Sequence, residues 1–171
     1  GLGDVYKRQG RDVVIEPHVV IGAGTIGLAI IVALKSYGVQ RIAAVDLDAS
    51  RLKEAKEFGA DAVFNAAEMT AKQLAEWGTS SADTDGADLV LEAVGAAASV
   101  ETAIHAVTRG GTVVLVGNVS PAVELPLQTV VTRQIRLQGS CASAGCYPEA
   151  IELAASGTVD LSRFCLLYTS D

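Results

Sequence analysis

The feature that most narrows the folds open to this chain is a glycine turn placed between a strand and a helix. His18 to Ile21 reads as an apolar strand, Gly22-Ala23-Gly24-Thr25-Ile26-Gly27 follows it at once, and a helix runs from Thr25 to about Tyr37, closed by Gly38 in a C-cap position. A GxGxxG alone is weak. In this setting each glycine serves a separate mechanical purpose. Gly22 permits the tight turn, Gly24 lets the backbone approach a pyrophosphate, and Gly27 allows close helix-strand packing. The helix aims unpaired amides and its positive dipole end at the phosphates, with the N–H groups of Thr25 and Ile26 as the expected donors. About twenty residues on, Asp46 stands at the end of the second strand, where a carboxylate accepts hydrogen bonds from an adenosine ribose diol. Turn, flanking elements and acid agree on a dinucleotide site.

The rest of the chain keeps the same rhythm of apolar β-branched runs and amphipathic helices. Further strands are expected at Arg41 to Val45, Ala62 to Phe64, Ala87 to Leu91, Thr112 to Val116 and Ile135 to Gln138. A helix capped by Asp48 or Ser50 repeats Leu52, Ala55 and Phe58 at helical spacing and ends at Gly59. Others are expected at Glu68 to Trp77, Ala97 to Val107 and Tyr147 to Ser156. Gly110 and Gly111 should form the turn before the fifth strand, and a connection through Pro121 and Pro126 should lead to the sixth. Within Asn118 to Val130, Val119, Val123 and Leu125 alternate as an edge strand would. Val19-Val20-Ile21 and Val113-Val114-Leu115-Val116 are apolar throughout, as strands covered on both faces must be. The expectation is an α/β Rossmann fold, a doubly wound six-stranded parallel sheet that binds its ligand at the carboxyl ends of the strands.

Two short segments at the ends do not belong to this pattern. DVYKRQ near the start and CLLYTS near the end can be written in codons that are reverse complements of each other, and both resemble a translated transposase adapter. Residues 1–9 and 165–171 are therefore set apart as adapter scars, leaving residues 10–164 as one natural domain cut at both ends. That is enough chain to bury a core without disulfides or metals. A formal charge of −7 argues against nucleic acid or anionic membrane as partner and favours a small soluble ligand. The longest apolar run, Ile26 to Leu34, is too short to span a bilayer. Cys141 and Cys146 match neither a disulfide framework nor a usual zinc knuckle, and read as the reduced thiols of a cytoplasmic protein.

At the level of longer strings, VVIGAGTIGLAIIVALKSYGVQRIAAVDLDASRLKEAKEFGAD, GADLVLEAVG, RGGTVVLVGN and ELPLQTVVTRQIRLQGS resemble the cofactor domain of medium-chain, zinc-type alcohol and polyol dehydrogenases, the sorbitol- and threonine-dehydrogenase-like branches above all. The resemblance implies NAD as cofactor, with Arg51 reaching the adenosine ribose and Leu47 and Val94 enclosing the adenine. It also implies that the carbonyls of Val116 and Ser140 and the amide of Ala142 hold the nicotinamide carboxamide. Relatives polarise the alcohol oxygen with zinc held in a separate GroES-like domain. No His/Cys cluster with metal spacing occurs in this sequence, so neither catalytic nor metal-ligating residues are expected here. The implied parent is a homo-oligomeric dehydrogenase of a small alcohol or polyol, with the present chain binding NAD but turning nothing over.

Other polar residues have plainer readings. His18 and His105 fit a strand and a helix face, Trp77 fits packing, and Cys141 has no evident base beside it. Glu92 ends a strand on the ligand side, where it can touch cofactor or pair with amides. Two rival functions share the glycine turn. An S-adenosylmethionine-dependent methyltransferase would open the motif with an acid and end in an antiparallel hairpin, and a non-catalytic NAD-sensing module would not extend the resemblance beyond the fifth strand.

Overall fold

The computed structural model describes residues 17–82, 84–142, 145–157 and 164. The chain divides into two units, Ile15–Ser140 and a second made of Gly1–Val14 with Cys141–Asp171. The adapter-like segments, 1–9 and 165–171, lie outside the described residues.

The first unit alternates strands and helices: β1 (His18–Ile21), α1 (Thr25–Ser36), β2 (Ile42–Asp46), α2 (Ala49–Glu57), β3 (Ala62–Asn65), α3 (Ala71–Gly78), β4 (Ala87–Glu92), α4 (Ala97–Ala106), β5 (Val107–Leu115), α5 (Leu127–Thr132) and β6 (Arg136–Gly139). The six strands form one sheet in the order β3-β2-β1-β4-β5-β6, and every pairing is parallel. This is the doubly wound Rossmann order, and the chain reverses direction across the sheet between β1 and β4.

Both faces of the sheet are covered. Val19, Ile21, Ala43, Val45, Val90 and Val113 cluster with Leu74 of α3 and Val100, Ala103 and Ile104 of α4. The alternate residues Val20, Ala44, Leu91 and Val114 are equally buried, and α1 buries Leu28, Ile31 and Leu34. Each valine, leucine or isoleucine so buried contributes about 1.5–3 kcal/mol on leaving water.

The parallel register sets the site. Ile21 stands beside Val45 on one side and Glu92 on the other, Glu92 beside Leu115, and Leu115 beside Gly139. Gly22, Asp46, Val116 and Ser140 therefore emerge along a single edge of the sheet.

Most expected elements lie within two residues of their predicted bounds, with three exceptions. The helix expected from Glu68 begins only at Ala71, because Thr70 accepts the Gln73 amide at 3.2 Å while Gln73 accepts the Thr70 amide at 2.8 Å. Gly110 and Gly111 do not precede the fifth strand but lie within it: Ala87 pairs with Val107 and Leu89 with Thr112, so the intervening residues of β5 swing out as a bulge. Gly110 takes φ +72° there, its amide donating to the Arg133 carbonyl at 2.8 Å. No edge strand forms at Val119 to Leu125. The outer place beside β5 belongs to β6, and the 118–130 segment instead ends in α5, entered through Pro126.

The second unit contributes α6 (Tyr147–Ala155), with Pro148 in its first turn and Gly157 at φ +73° just beyond its end. Among the described residues no helix is long and apolar enough to cross a membrane.

Candidate dinucleotide-binding site

The three motif glycines are glycines for different reasons. Gly22 has φ +94°, and its amide donates to the Val45 carbonyl at 2.7 Å, bending the chain out of β1. A Cβ on Gly22 would also lie 2.7 Å from Cγ2 of Val94. A Cβ on Gly27 would run into the carbonyl of Gly22, so this residue lets α1 lie close on the turn. Gly24 differs from both. Its backbone is ordinary (φ −72°, ψ −174°), and a Cβ there would meet nothing within 4 Å. Neither conformation nor internal packing requires a glycine at that position, which leaves space at the mouth of the turn that fits a ligand group against the backbone.

The amino end of α1 is equipped to face an anion. The first bond inside the helix joins the Leu28 amide to the Gly24 carbonyl, so the amides of Thr25 and Ile26 precede the ladder. No side chain caps this end, and no acidic residue stands in the first turn. At α2, by contrast, Asp48 accepts the Ser50 and Arg51 amides at 2.7 and 3.4 Å. The Ser50 hydroxyl, donating at 2.6 Å, and then those amide bonds hold the Asp48 carboxyl below the usual carboxylate range.

Asp46 is tied directly to the turn. Its Oδ2 accepts the Ala23 amide at 2.8 Å and its Oδ1 accepts the Asp48 amide at 2.9 Å. The side chain retains only 10% exposure, and the Arg51 guanidinium stands 3.9 Å from Oδ2. Each carboxylate oxygen keeps a lone pair for a further donor. The carboxylate thus both shapes the turn and offers acceptors beside it, a coupling through Ala23 that spacing in the sequence does not disclose.

Around this centre the remaining candidates fall into groups. Leu47, next to Asp46, is 71% exposed, and Ile26 in the first turn of α1 is 55% exposed. Val94 is half-buried and packs close to Gly22. Val116 donates its amide to the Glu92 carbonyl at 2.8 Å, and Ser140 donates its own to the Leu115 carbonyl at 2.9 Å. The fold therefore brings Gly22, Gly24, Thr25, Ile26, Gly27, Asp46, Leu47, Arg51 and Val94 together around β1 and β2, and sets Val116 and Ser140 beyond β5 and β6. Ala142 belongs to the second unit, with its backbone in the left-handed region at φ +58°.

Glu92, open between two roles on sequence grounds, is wholly buried and accepts the Val94 and Gly95 amides. Gly95 and Gly117 matter here too, although no sequence motif marks them. A Cβ on either would collide with the other's backbone, so the loops after β4 and β5 touch main chain to main chain. The legible trace of this contact is a glycine just past each apolar run, in EAVG and VLVG. Among the described residues no group of three His, Cys, Asp or Glu side chains could hold a metal ion.

With this geometry in place, comparison with known proteins decides the family. The sequence profile of the zinc-binding dehydrogenases matches residues 25–156. The chain belongs to that family. A probable D-xylulose reductase A of Aspergillus clavatus is 36% identical over 148 residues, covering 85% of this chain and 41% of the relative. Sorbitol dehydrogenase of Rattus norvegicus is 34% identical over 142 residues, covering 83% and 40%. The chain thus spans about two fifths of the length of these relatives. Among solved structures, 2R,3R-butanediol dehydrogenase of Bacillus subtilis superposes with a TM-score of 0.79 at 25% identity, over 91% of this chain and 44% of that one. A zinc-binding dehydrogenase of Sinorhizobium meliloti bound to NADP gives 0.77 at 25% identity, over 86% and 44%. An alcohol dehydrogenase of E. coli CFT073 complexed with NADH gives 0.76 at 26%, over 90% and 44%.

Proposed function

We propose that this chain is the NAD-binding domain of a zinc-type medium-chain dehydrogenase whose whole protein oxidises a secondary alcohol or polyol. The observation that carries the reading is the open space at Gly24, bounded by the uncapped amides of α1 and by the Asp46 carboxylate. A pyrophosphate fits the first and an adenosine ribose the second. Bound there, NAD supplies the acceptor for hydride.

The chain's own residues bind and orient. Thr25 and Ile26 donate to the pyrophosphate, because the neighbouring Ala23 amide is already taken by Asp46. Asp46 accepts from the ribose hydroxyls with Arg51 beside it, and the exposed Leu47 gains a partner when adenine lies between it and Val94. The carbonyls of Val116 and Ser140 are assigned to the carboxamide, whose NH2 requires acceptors. The names of the sorbitol and xylulose relatives support a polyol. Zinc finds no donor set among the described residues. We assign it to a GroES-like domain of the whole protein, so the chain alone should bind cofactor without turnover. Clear oxidation of polyols by this chain with added zinc would overturn that part of the reading. The free thiols of Cys141 and Cys146 accord with a cytoplasmic setting.

The parallel pairing of β6 with β5 speaks against a methyltransferase, which would end in an antiparallel hairpin. Family membership speaks against a sensing module. Among the described residues the outer edge of β6 has no strand partner, so we propose that the whole protein pairs there as a homodimer. Light scattering that finds only monomer at high concentration counts against this.

Calorimetric titration with NADH and NADPH tests the cofactor. A 2′-phosphate set beside Asp46 meets a like charge, costing about 4 kcal/mol at 4 Å and an effective dielectric near 20, less where solvent enters. NADH should bind at least about tenfold more tightly, and Asp46→Ser should narrow the gap. Equal affinity in the unsubstituted chain sinks the preference for NAD.

A further inference from the structure

Glu92 combines complete burial with, among the described residues, the absence of a cationic partner. The side chain is 0% exposed, and among the described residues no lysine or arginine pairs with it. Its oxygens are instead satisfied by the backbone of the loop that follows: Oε1 accepts the Val94 and Gly95 amides, each at 2.8 Å, and Oε2 shares the Gly95 amide at 3.0 Å. The same residue's carbonyl accepts the Val116 and Gly117 amides at 2.8 and 2.9 Å. One residue at the reversal point of the sheet therefore holds the loops after both β4 and β5. A buried carboxylate is expensive to keep without a counter-charge, and apolar side chains fill the neighbouring strand positions. The hydrogen bonds its carboxylate makes to the described residues fix the path of Val94 and Gly95.

That path matters because of what stands opposite. Val94 lies against Gly22, close enough that a Cβ on the glycine would come within 2.7 Å of it. Gly95, at φ +81°, rests against Gly117 and Asn118, and the Ser120 amide donates to its carbonyl at 3.0 Å. Releasing the two amides would free the Val94 side chain from the glycine turn while the sheet below stayed intact.

We propose that Glu92 is a positioning residue for the dinucleotide cleft, its carboxylate clamping the Val94 and Gly95 amides so that Val94 is held as a fixed wall across from the glycine turn. This rests on the reading of the cleft as an NAD site. It extends that reading to a residue buried beneath the loop. A glutamine at this position keeps the size but sets an NH2 donor where Oε2 accepts the Gly95 amide, so donor faces donor there and the bonds that remain lose their charge.

The test is a double-mutant cycle on NADH affinity, read by NADH fluorescence, with Glu92→Gln, Val94→Ala and the pair. Glu92→Gln should weaken NADH by about tenfold, the size of one lost charged hydrogen bond. In the Val94→Ala background it should cost much less, because there is little wall left to position; a merely structural role would give additive losses. Amide exchange on the unsubstituted, cofactor-free chain provides a second measurement that does not depend on the variant folding. The Val94 and Gly95 amides should already be protected, and fast exchange at both overturns the clamp. No NADH binding by the unsubstituted chain overturns the site reading together with the proposal. Binding by the unsubstituted chain with equal affinity in Glu92→Gln, or with additive losses in the cycle, overturns the proposal alone.

Discussion

The half of the sheet built from β1, β2 and β3 and the half built from β4, β5 and β6 share a plan but present themselves differently to a ligand. In the first, the groups proposed to face a ligand are local: a glycine turn and an acid 23 residues beyond Ala23, joined by one hydrogen bond of 2.8 Å. In the second, they are carbonyls and amides whose positions are set by contacts between loops, Gly95 against Gly117 and Glu92 under both. The first half shows open space at Gly24; the corresponding glycines of the second half are filled by neighbouring backbone. The contrast is between a turn left open and two loops packed on each other.

The largest expected effect breaks that contrast at its open end. Gly24→Val places a side chain where the free chain has nothing within 4 Å. Folding should be untouched, with a melting temperature close to that of the unsubstituted chain, while NADH affinity drops by about a hundredfold or more. Fluorescence titration checks the affinity and thermal unfolding checks the fold. Undiminished binding would remove the pyrophosphate from this turn.

Gly117→Ala is the converse. A Cβ there meets the main chain of Val94 and Gly95, neither of which can yield as a flexible side chain would. Overpacking of this kind costs about 1–3 kcal/mol, so the variant should lose stability in urea unfolding, and any loss of affinity should follow from that. If stability were unchanged, the two loops would not be in the close contact described.

The same contrast explains what the sequence disclosed. Strand and helix identities in the first half follow from periodicity and caps: β1 falls at His18–Ile21 as expected, and Asp48 caps α2 through its own short-range hydrogen bonds. Spacing alone singles out Gly22, Gly24, Gly27 and Asp46, whereas Leu47 and Arg51 follow only from the family resemblance. In the second half, the decisive partners are distant. The bulge at Gly110 is stabilised by the carbonyl of Arg133, 23 residues away, and nothing in the string RGG distinguishes a bulge from a turn. The alternation of Val119, Val123 and Leu125 suggested a strand, but a strand requires a neighbour, and β6 already occupies the place beside β5. Glu92 reads as a strand-end acid in either role; only its burial and its two amides decide between them.

The smallest expected effect tests whether the bulge, the feature least visible in sequence, is held electrostatically. Burial raises the Asp85 carboxyl, but this is outweighed by the Arg109 amide at 2.8 Å, the Thr108 hydroxyl at 2.9 Å and the Arg133 guanidinium at 3.1 Å, which together leave it below its ordinary value. A carboxylate whose folded pKa is depressed contributes stability that is fully present above its unfolded value, near 4, and is lost as pH falls through the folded value. The side chain of Asp85 is 55% exposed, so solvent screening holds the contribution to about 0.5–1 kcal/mol. Asp85→Asn should therefore lower the urea midpoint slightly at pH 7, and the gap between variant and unsubstituted chain should begin to close below about pH 4 and vanish once the pH passes below the folded value, where both carry a neutral group at this position. High salt should narrow the gap at pH 7 as well, since the Arg133 pair is partly open to water. A gap that stays constant between pH 7 and pH 3 would mean that the shape of the side chain, and not its charge, holds Thr108 and Arg109 in the bulge.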